Sequence, residues 1–155
     1  MSTKMTLRIK SSSSEETENL GSLLGHQLKG GEVIELISDL GGGKTTFTRG
    51  LVRGAGSDDS VASPTFTISR VYKTPSFNIH HFDFYRLEDA GLAAYELQDL
   101  LDDPTVVVIV EWAGVVDHVL PADRLTITIT PLAETTRLLS CSFSEDLKYA
   151  MEGLC

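Results

Sequence analysis

Positive charge is scarce in this sequence: 13 lysines and arginines stand against 22 aspartates and glutamates, a formal net charge of −9 over 155 residues. Such an imbalance opposes non-specific attachment to nucleic acid, which is driven by neutralising backbone phosphates. Any role on nucleic acid is therefore expected to run through a partner protein. Cysteine is almost missing, and the two that occur, Cys141 and Cys155, show no metal-ligand spacing. Two reduced thiols in a cytoplasmic protein are the expectation. Long apolar runs are also lacking. The longest aliphatic stretch, Val106 to Val110, is far too short to span a bilayer, and Met1 to Lys10 carries no apolar signal-peptide core. Repeats, low-complexity tracts and internal linkers are not visible. With 41% hydrophobic residues the chain is expected to form a single domain over residues 1–155.

What the chain does have is a glycine cluster in a telling place. Val33-Ile34-Glu35-Leu36-Ile37 reads as a strand and runs straight into Ser38-Asp39-Leu40-Gly41-Gly42-Gly43-Lys44-Thr45-Thr46. A strand, a glycine-rich turn and Lys-Thr at the start of a helix make the layout of a phosphate-binding P-loop. Gly41, Gly42 and Gly43 let the backbone curl so that its N–H groups face phosphate oxygens. Lys44 supplies a point charge for the terminal phosphates, and the Thr45 hydroxyl can ligate Mg²⁺. A helix beginning near Lys44 adds its N-terminal partial positive charge. Phe47, Leu51 and Val52 give that helix an apolar stripe, and Gly54 and Gly56 offer a stop. The bland alternative is a glycine-rich strand-to-helix turn with an exposed lysine.

The remaining elements follow from periodicity. Thr6 to Ile9 reads as a short strand. Ser13 and Glu16 fit a capping box ahead of a helix, with Leu20, Leu23, Leu24 and Leu28 on one face and an end near Gly30-Gly31. Phe66–Tyr72 and Phe77–Phe84, split by Thr74-Pro75-Ser76, read as an antiparallel hairpin. Ala90 to Leu101 is expected to be helical, with Leu92, Tyr95 and Leu100 toward one face. Val106–Val110 reads as a central parallel strand, buried on both sides. Leu125–Thr130 and Leu139–Phe143 alternate with period two, and Ser144 is placed to cap a last helix through Met151. The sum is an α/β fold: a mixed sheet flanked by helices, parallel around the P-loop and carrying antiparallel hairpin strands.

A P-loop also needs a carboxylate for Mg²⁺ and a group to position water, usually at the C-terminal ends of neighbouring strands. Glu111, directly after Val106–Val110, and Asp83, at the end of Phe77–Phe82, fit. Each also reads as a strand-end charge or turn former. His81 shares a face with Asp83 and reads as a partner that orients it, or as a packed strand residue. A transition-metal site from His81, Asp83 and Glu111 lacks a further nitrogen or sulfur ligand. Thr65, in Ser63-Pro64-Thr65-Phe66, lies either in a switch-like loop or in an ordinary turn.

Four segments in this order, Asp39 to Phe47, Ser63 to Thr67, His81-Phe82-Asp83-Phe84-Tyr85-Arg86-Leu87 and Glu111-Trp112, resemble the TsaE family, bacterial ATPases of tRNA threonylcarbamoyladenosine biosynthesis. The resemblance spans most of the chain. It implies a P-loop NTPase-like fold, bound ATP and Mg²⁺, and slow hydrolysis that depends on the partner proteins TsaD and TsaB. It implies that Asp39, Leu40, Gly41, Gly42, Gly43, Lys44, Thr45 and Thr46 bind nucleotide, and that Thr45, Asp83 and Glu111 serve the metal. Asp83, Glu111 and Thr65 then become catalytic candidates. Ser13 and Arg137 match places where the family approaches the nucleotide, though a helix cap and a surface arginine explain them equally well. Trp112 belongs to the family motif and also suits simple packing. One departure stands out: Ser38 occupies the position where the family has the first P-loop glycine. If that position needs positive φ, serine costs about 1 kcal/mol or more of strain; if φ is negative, it costs little. A non-hydrolysing, nucleotide-dependent scaffold is the alternative reading. A small-molecule kinase is less favoured, because no long lid insertion is seen, and a GTP switch lacks the Asn-Lys-x-Asp motif.

Overall fold

The computed structural model describes residues 4–39, 43–61, 69–85, 87–89 and 91–154. Among the described residues seven strands and four α-helices succeed one another: β1 (Met5–Ser11), α1 (Ser14–Gln27), β2 (Val33–Ile37), α2 (Lys44–Gly54), β3 (Ser69–Lys73), β4 (Asn78–Asp83), α3 (Leu92–Leu100), β5 (Val106–Glu111), β6 (Leu125–Pro131), β7 (Arg137–Phe143) and α4 (Lys148–Met151). They build one sheet in the order β1-β7-β6-β2-β5-β4-β3. The four inner strands β6, β2, β5 and β4 are mutually parallel, while β7, β1 and β3 pair antiparallel at the flanks. The expected α/β class and mixed sheet are observed. β5 is buried along its whole length, as befits a strand with helices on both faces.

Two cores result, one on each face. Ile34, Leu36, Ile109 and Ile127 pack against α1, α2 and α4 through Leu24, Phe47, Leu51 and Met151. On the other side Val108, Val110 and Phe82 pack against α3 through Ala93 and Leu97. Parity along each strand decides which core a side chain joins. The same parity sends His81 and Glu111 to the α2 side.

Helix α1 begins as expected. The Ser13 Oγ accepts the Glu16 N–H at 3.1 Å, and a Glu16 carboxylate oxygen accepts the Ser12 N–H at 2.5 Å, so the return bond falls one residue before the cap. Replacing Ser13 by Ala removes one satisfied donor. It is expected to cost about 1 kcal/mol and lower Tm by roughly 2–4 °C in nucleotide-free protein, read by thermal unfolding. An unchanged Tm would show that solvent caps the helix equally well.

Three local expectations are corrected. Leu23 is 44% exposed, because the buried face of α1 is carried by Thr17, Gly21, Leu24, Gly25 and Leu28, and the helix ends at Gln27. On α3, Leu92 and Tyr95 are 83% and 69% exposed, and Ala93 and Leu97 face the sheet instead. Ser144 does not cap with its side chain; its hydroxyl bonds the Asp123 carboxylate, and a 3₁₀ turn, Glu145–Leu147, leads into α4.

The α1 face has an unexpected chemistry. A Cβ added at Gly21 or Gly25 would stand 2.2 Å from the Phe47 carbonyl oxygen or 2.0 Å from that of Leu51. One added at Gly50 or Gly54 would stand 1.8 Å from the Glu18 oxygen or 2.0 Å from that of Ser22. Two helices running side by side thus meet backbone to backbone, with glycines on both. A missing side chain is what permits that approach.

Candidate functional site

The site begins where β2 ends. Gly43 sits at φ 106°, in the left-handed region, and α2 starts at the next residue with no side-chain cap and no acid in its first turn. The first N–H groups of α2 are thus left without a capping side chain, at the positive end of the helix dipole. Lys44, only 7% exposed, opens the helix. Its Nζ lies 3.3 Å from the Ser38 carbonyl oxygen, 3.5 Å from Glu111 Oε1 and 4.4 Å from the centre of the Trp112 ring. Thr45 and Thr46 follow in the first turn, both half-buried.

The acids come from the neighbouring parallel strands. Glu111 pairs with Leu36 of β2 on one side and with Asp83 of β4 on the other. The three strand ends therefore present Ser38, Glu111 and Asp83 along one edge. Glu111 is buried, and its second carboxylate oxygen bonds His81 Nε2. Burial pushes its carboxyl upward, but the His81 hydrogen bond and the charges of His81 and Lys44 outweigh it and hold it below the usual range. Asp83 moves the other way. Burial raises it and the neighbouring Glu111 charge adds to that, against the Tyr85 N–H bond at 3.0 Å and the pull of Lys44 and His81. Adjacent carboxyls with opposite shifts are a recurring mark of a working site.

His81 is a partial correction. Of its two expected roles, the packed strand residue is observed, since the side chain is fully buried, but its hydrogen bond runs to Glu111 and not to Asp83. Because His81 stands opposite Ile109 and Asp83 opposite Glu111, Glu111 lies diagonally across from His81 on the shared face. Asp83 uses its Oδ1 to accept the Tyr85 N–H and shape the turn after β4. Among the described residues, no three His, Cys, Asp or Glu side chains group as a metal set. The oxygen donors Thr45, Asp83 and Glu111 beside an open helix N-terminus suit a hard cation that shares its shell with phosphate and water.

Ser38 settles its own question. Among the described residues Trp112 alone of the non-glycines has positive φ, so Ser38 bears no left-handed strain. Its hydroxyl donates to the Asp39 carbonyl at 2.8 Å, and Asp39 itself is exposed. Leu40, Gly41, Gly42 and the whole Ser63–Thr67 segment with Thr65 lie outside the described residues. Arg137 opens β7 opposite Ser11 and Pro131. Its Nη1 donates to the carbonyls of Ala133, Glu134 and Thr136 at 2.9, 3.3 and 3.1 Å, and its Nε would lie 3.9 Å from a Cβ on Gly43. The guanidinium thus flanks the end of the glycine loop. Ser13, two residues past Ser11, belongs to the same edge.

Two participants went unassigned at the sequence level. Trp112 sits at φ 57° with its ring over Lys44 and 4.8 Å from the Tyr85 ring, so strain is held at this position by two contacts. Glu35, held by Arg124 Nε at 3.0 Å, lines a cavity of about 220 Å³ with Ile37, Ser38, Lys44 and Trp112. A lone acid inside Val33–Ile37 was the available signal.

Comparison with known proteins places this geometry. Residues 11–139 match the family model for "Threonylcarbamoyl adenosine biosynthesis protein TsaE". A curated protein of Rickettsia typhi named tRNA threonylcarbamoyladenosine biosynthesis protein TsaE is 34% identical over 131 residues, 83% of this chain and 89% of that one. A Bacillus subtilis protein of the same name is 40% identical over 127 residues, covering 79% and 77%. Among solved structures, the crystal structure of Bacillus subtilis YdiB superposes with a TM-score of 0.74 at 31% identity, over 96% of this chain and 92% of that one. The chain belongs to the TsaE family.

Proposed function

We propose that the chain is the ATP-binding and ATP-hydrolysing subunit of the machinery that places threonylcarbamoyl on the adenosine beside the tRNA anticodon. It acts in the cytoplasm with TsaD and TsaB as one ATPase domain. The pathway is that of the names its relatives carry. The observation that supports nucleotide chemistry most directly is Lys44: a nearly buried ammonium at an uncapped helix N-terminus, beside a buried, ionised carboxylate.

In this reading the triphosphate settles on the amides of the glycine loop and the first turn of α2. Lys44 turns from Glu111 to the phosphate oxygens, exchanging one anion for another. Thr45, Asp83 and Glu111 are the residues that would hold Mg²⁺. When bound, Mg²⁺ neutralises phosphate charge and favours ionisation of Asp83, whose proton is otherwise held more firmly than usual. One of the two carboxylates would also accept a hydrogen bond from the attacking water and orient it. Arg137, flanking Gly43, faces the nucleotide from the β7 side, and Thr65 is the candidate for sensing its state. A net charge of −9 opposes direct attachment to tRNA, so in this reading the nucleic acid is reached through the partners.

Single-turnover ATP hydrolysis with and without TsaD and TsaB tests this. Asp83→Asn and Glu111→Gln are expected to slow turnover by roughly 100-fold while changing nucleotide affinity by less than about fivefold. Wild-type turnover in both variants would remove the acids from the mechanism. Tight ATP binding with no hydrolysis under any partner condition would mark a scaffold instead.

A further inference from the structure

His81 is fully buried, yet among the described residues its Nδ1 finds no hydrogen-bond partner. A ring nitrogen left bare in the interior opposes folding, and an aliphatic side chain would avoid it. Only the other nitrogen does anything polar: Nε2 bonds Glu111. A carboxylate can only accept, so Nε2 is the nitrogen that donates in this pair. The ring is also fixed from behind, where Tyr72 stands 6.3 Å away between centroids at a 37° tilt. On the far side of the carboxylate, Lys44 holds the other oxygen at 3.5 Å.

These two anchors are not equivalent. Lys44 lies on the helix that opens the phosphate site, and the reading above needs its ammonium to move onto phosphate. His81 lies mid-strand, hydrogen-bonded into the sheet between β3 and β5. Once Lys44 turns away, the His81 bond is the contact that keeps the Glu111 carboxylate in its orientation.

We infer that His81 is a positioning residue that fixes the Glu111 carboxylate during the cycle, an inference that rests on the nucleotide-binding reading. Its polar contact is with Glu111 and not with the phosphate-binding elements. Its effect passes through the orientation of one carboxylate, much as outer partners orient the ligands of metal sites generally.

The position of the active nitrogen supplies the test. A glutamine amide nitrogen sits as many bonds from Cα as His Nε2, whereas an asparagine amide ends near the place of Nδ1. His81→Gln can therefore reach Glu111 and His81→Asn cannot. Each variant is compared with wild type for thermal unfolding, for binding of a fluorescent ADP without Mg²⁺, for the Mg²⁺ dependence of that binding, and for single-turnover hydrolysis. The expected result is metal-free ADP binding within about threefold of wild type in both. In His81→Asn, both the Mg²⁺ response and the hydrolysis rate should fall by roughly tenfold or more, and His81→Gln should recover most of each. Equal behaviour of the two variants overturns the inference, whether both match wild type or both fail. So does a His81→Asn loss that appears equally in metal-free ADP binding, which would mark general damage. Wild-type protein that binds no nucleotide removes the functional reading itself, and this inference with it.

Discussion

Lys44→Ala is expected to bind ATP at least about 100-fold more weakly than wild type, a loss of roughly 2.7 kcal/mol, measured by titration calorimetry with Mg²⁺ present. The reason lies in how the ammonium is held. It is already desolvated and aimed by the Ser38 carbonyl, Glu111 and the Trp112 ring, so little ordering remains to be done when phosphate arrives. The alanine protein keeps the helix N-terminus but loses the charge, and it also leaves buried Glu111 with His81 alone. Removing one partner of a buried ion pair costs about 3–5 kcal/mol, and the retained His81 bond puts this case at the lower end. The same sample should therefore unfold earlier without nucleotide and gain little Tm on adding ATP. ATP affinity within about threefold of wild type would dismiss Lys44 as the phosphate ligand.

Among the described glycines outside the site, Gly50 is the position where an added methyl, Gly50→Ala, is expected to do the most damage. Its Cβ would fall 1.8 Å from the Glu18 carbonyl oxygen, a contact with backbone that no rotamer can relieve. The helices must separate, opening the core that Phe47 and Leu51 close, or the helix must distort. Overpacking of this kind costs about 3 kcal/mol or more, hence a Tm drop of roughly 6–12 °C. Alanine ordinarily stabilises a helix relative to glycine, so the sign alone is diagnostic. Gly114→Ala is the control, because a Cβ there meets nothing within 4 Å. Its Tm should stay within about 1 °C of wild type, in keeping with most substitutions at open sites. Equal stability of the two variants would mean that α1 and α2 do not pack this closely.

The contrast between what could and could not be read in the chain has a physical basis. The strands announced themselves: the aliphatic run of β5 and the alternation in β6 and β7 are local patterns, and each fixed a face. The acids at the ends of β4 and β5 followed from chain position alone. The α1 face was misjudged because periodicity counts apolar side chains, and here the contact is made by Gly21, Gly25, Gly50 and Gly54, which have none. Gly54, read as a helix stop, does end α2 and is a packing surface as well. Leu92 and Tyr95 misled for the opposite reason, being apolar yet turned to solvent on a short helix whose sheet contact needs only Ala93 and Leu97. The His81–Glu111 bond was beyond local reading, since it depends on the register between two strands joined by a helix. Ser38 needed only its φ.

That register has a consequence for how the chain can change length. Asp83 and Glu111 are direct partners across hydrogen-bonded parallel strands. Their spacing is thus set by the ladder and owes nothing to the loops around them. The crossover from 84 to 105 can grow or shrink without altering the separation of the acids. A single residue inserted within β4 upstream of His81 would instead carry His81 and Asp83 through to the opposite core together, leaving Glu111 alone at the edge. The connection between these two strands is free to change length; the register of the strands themselves is not.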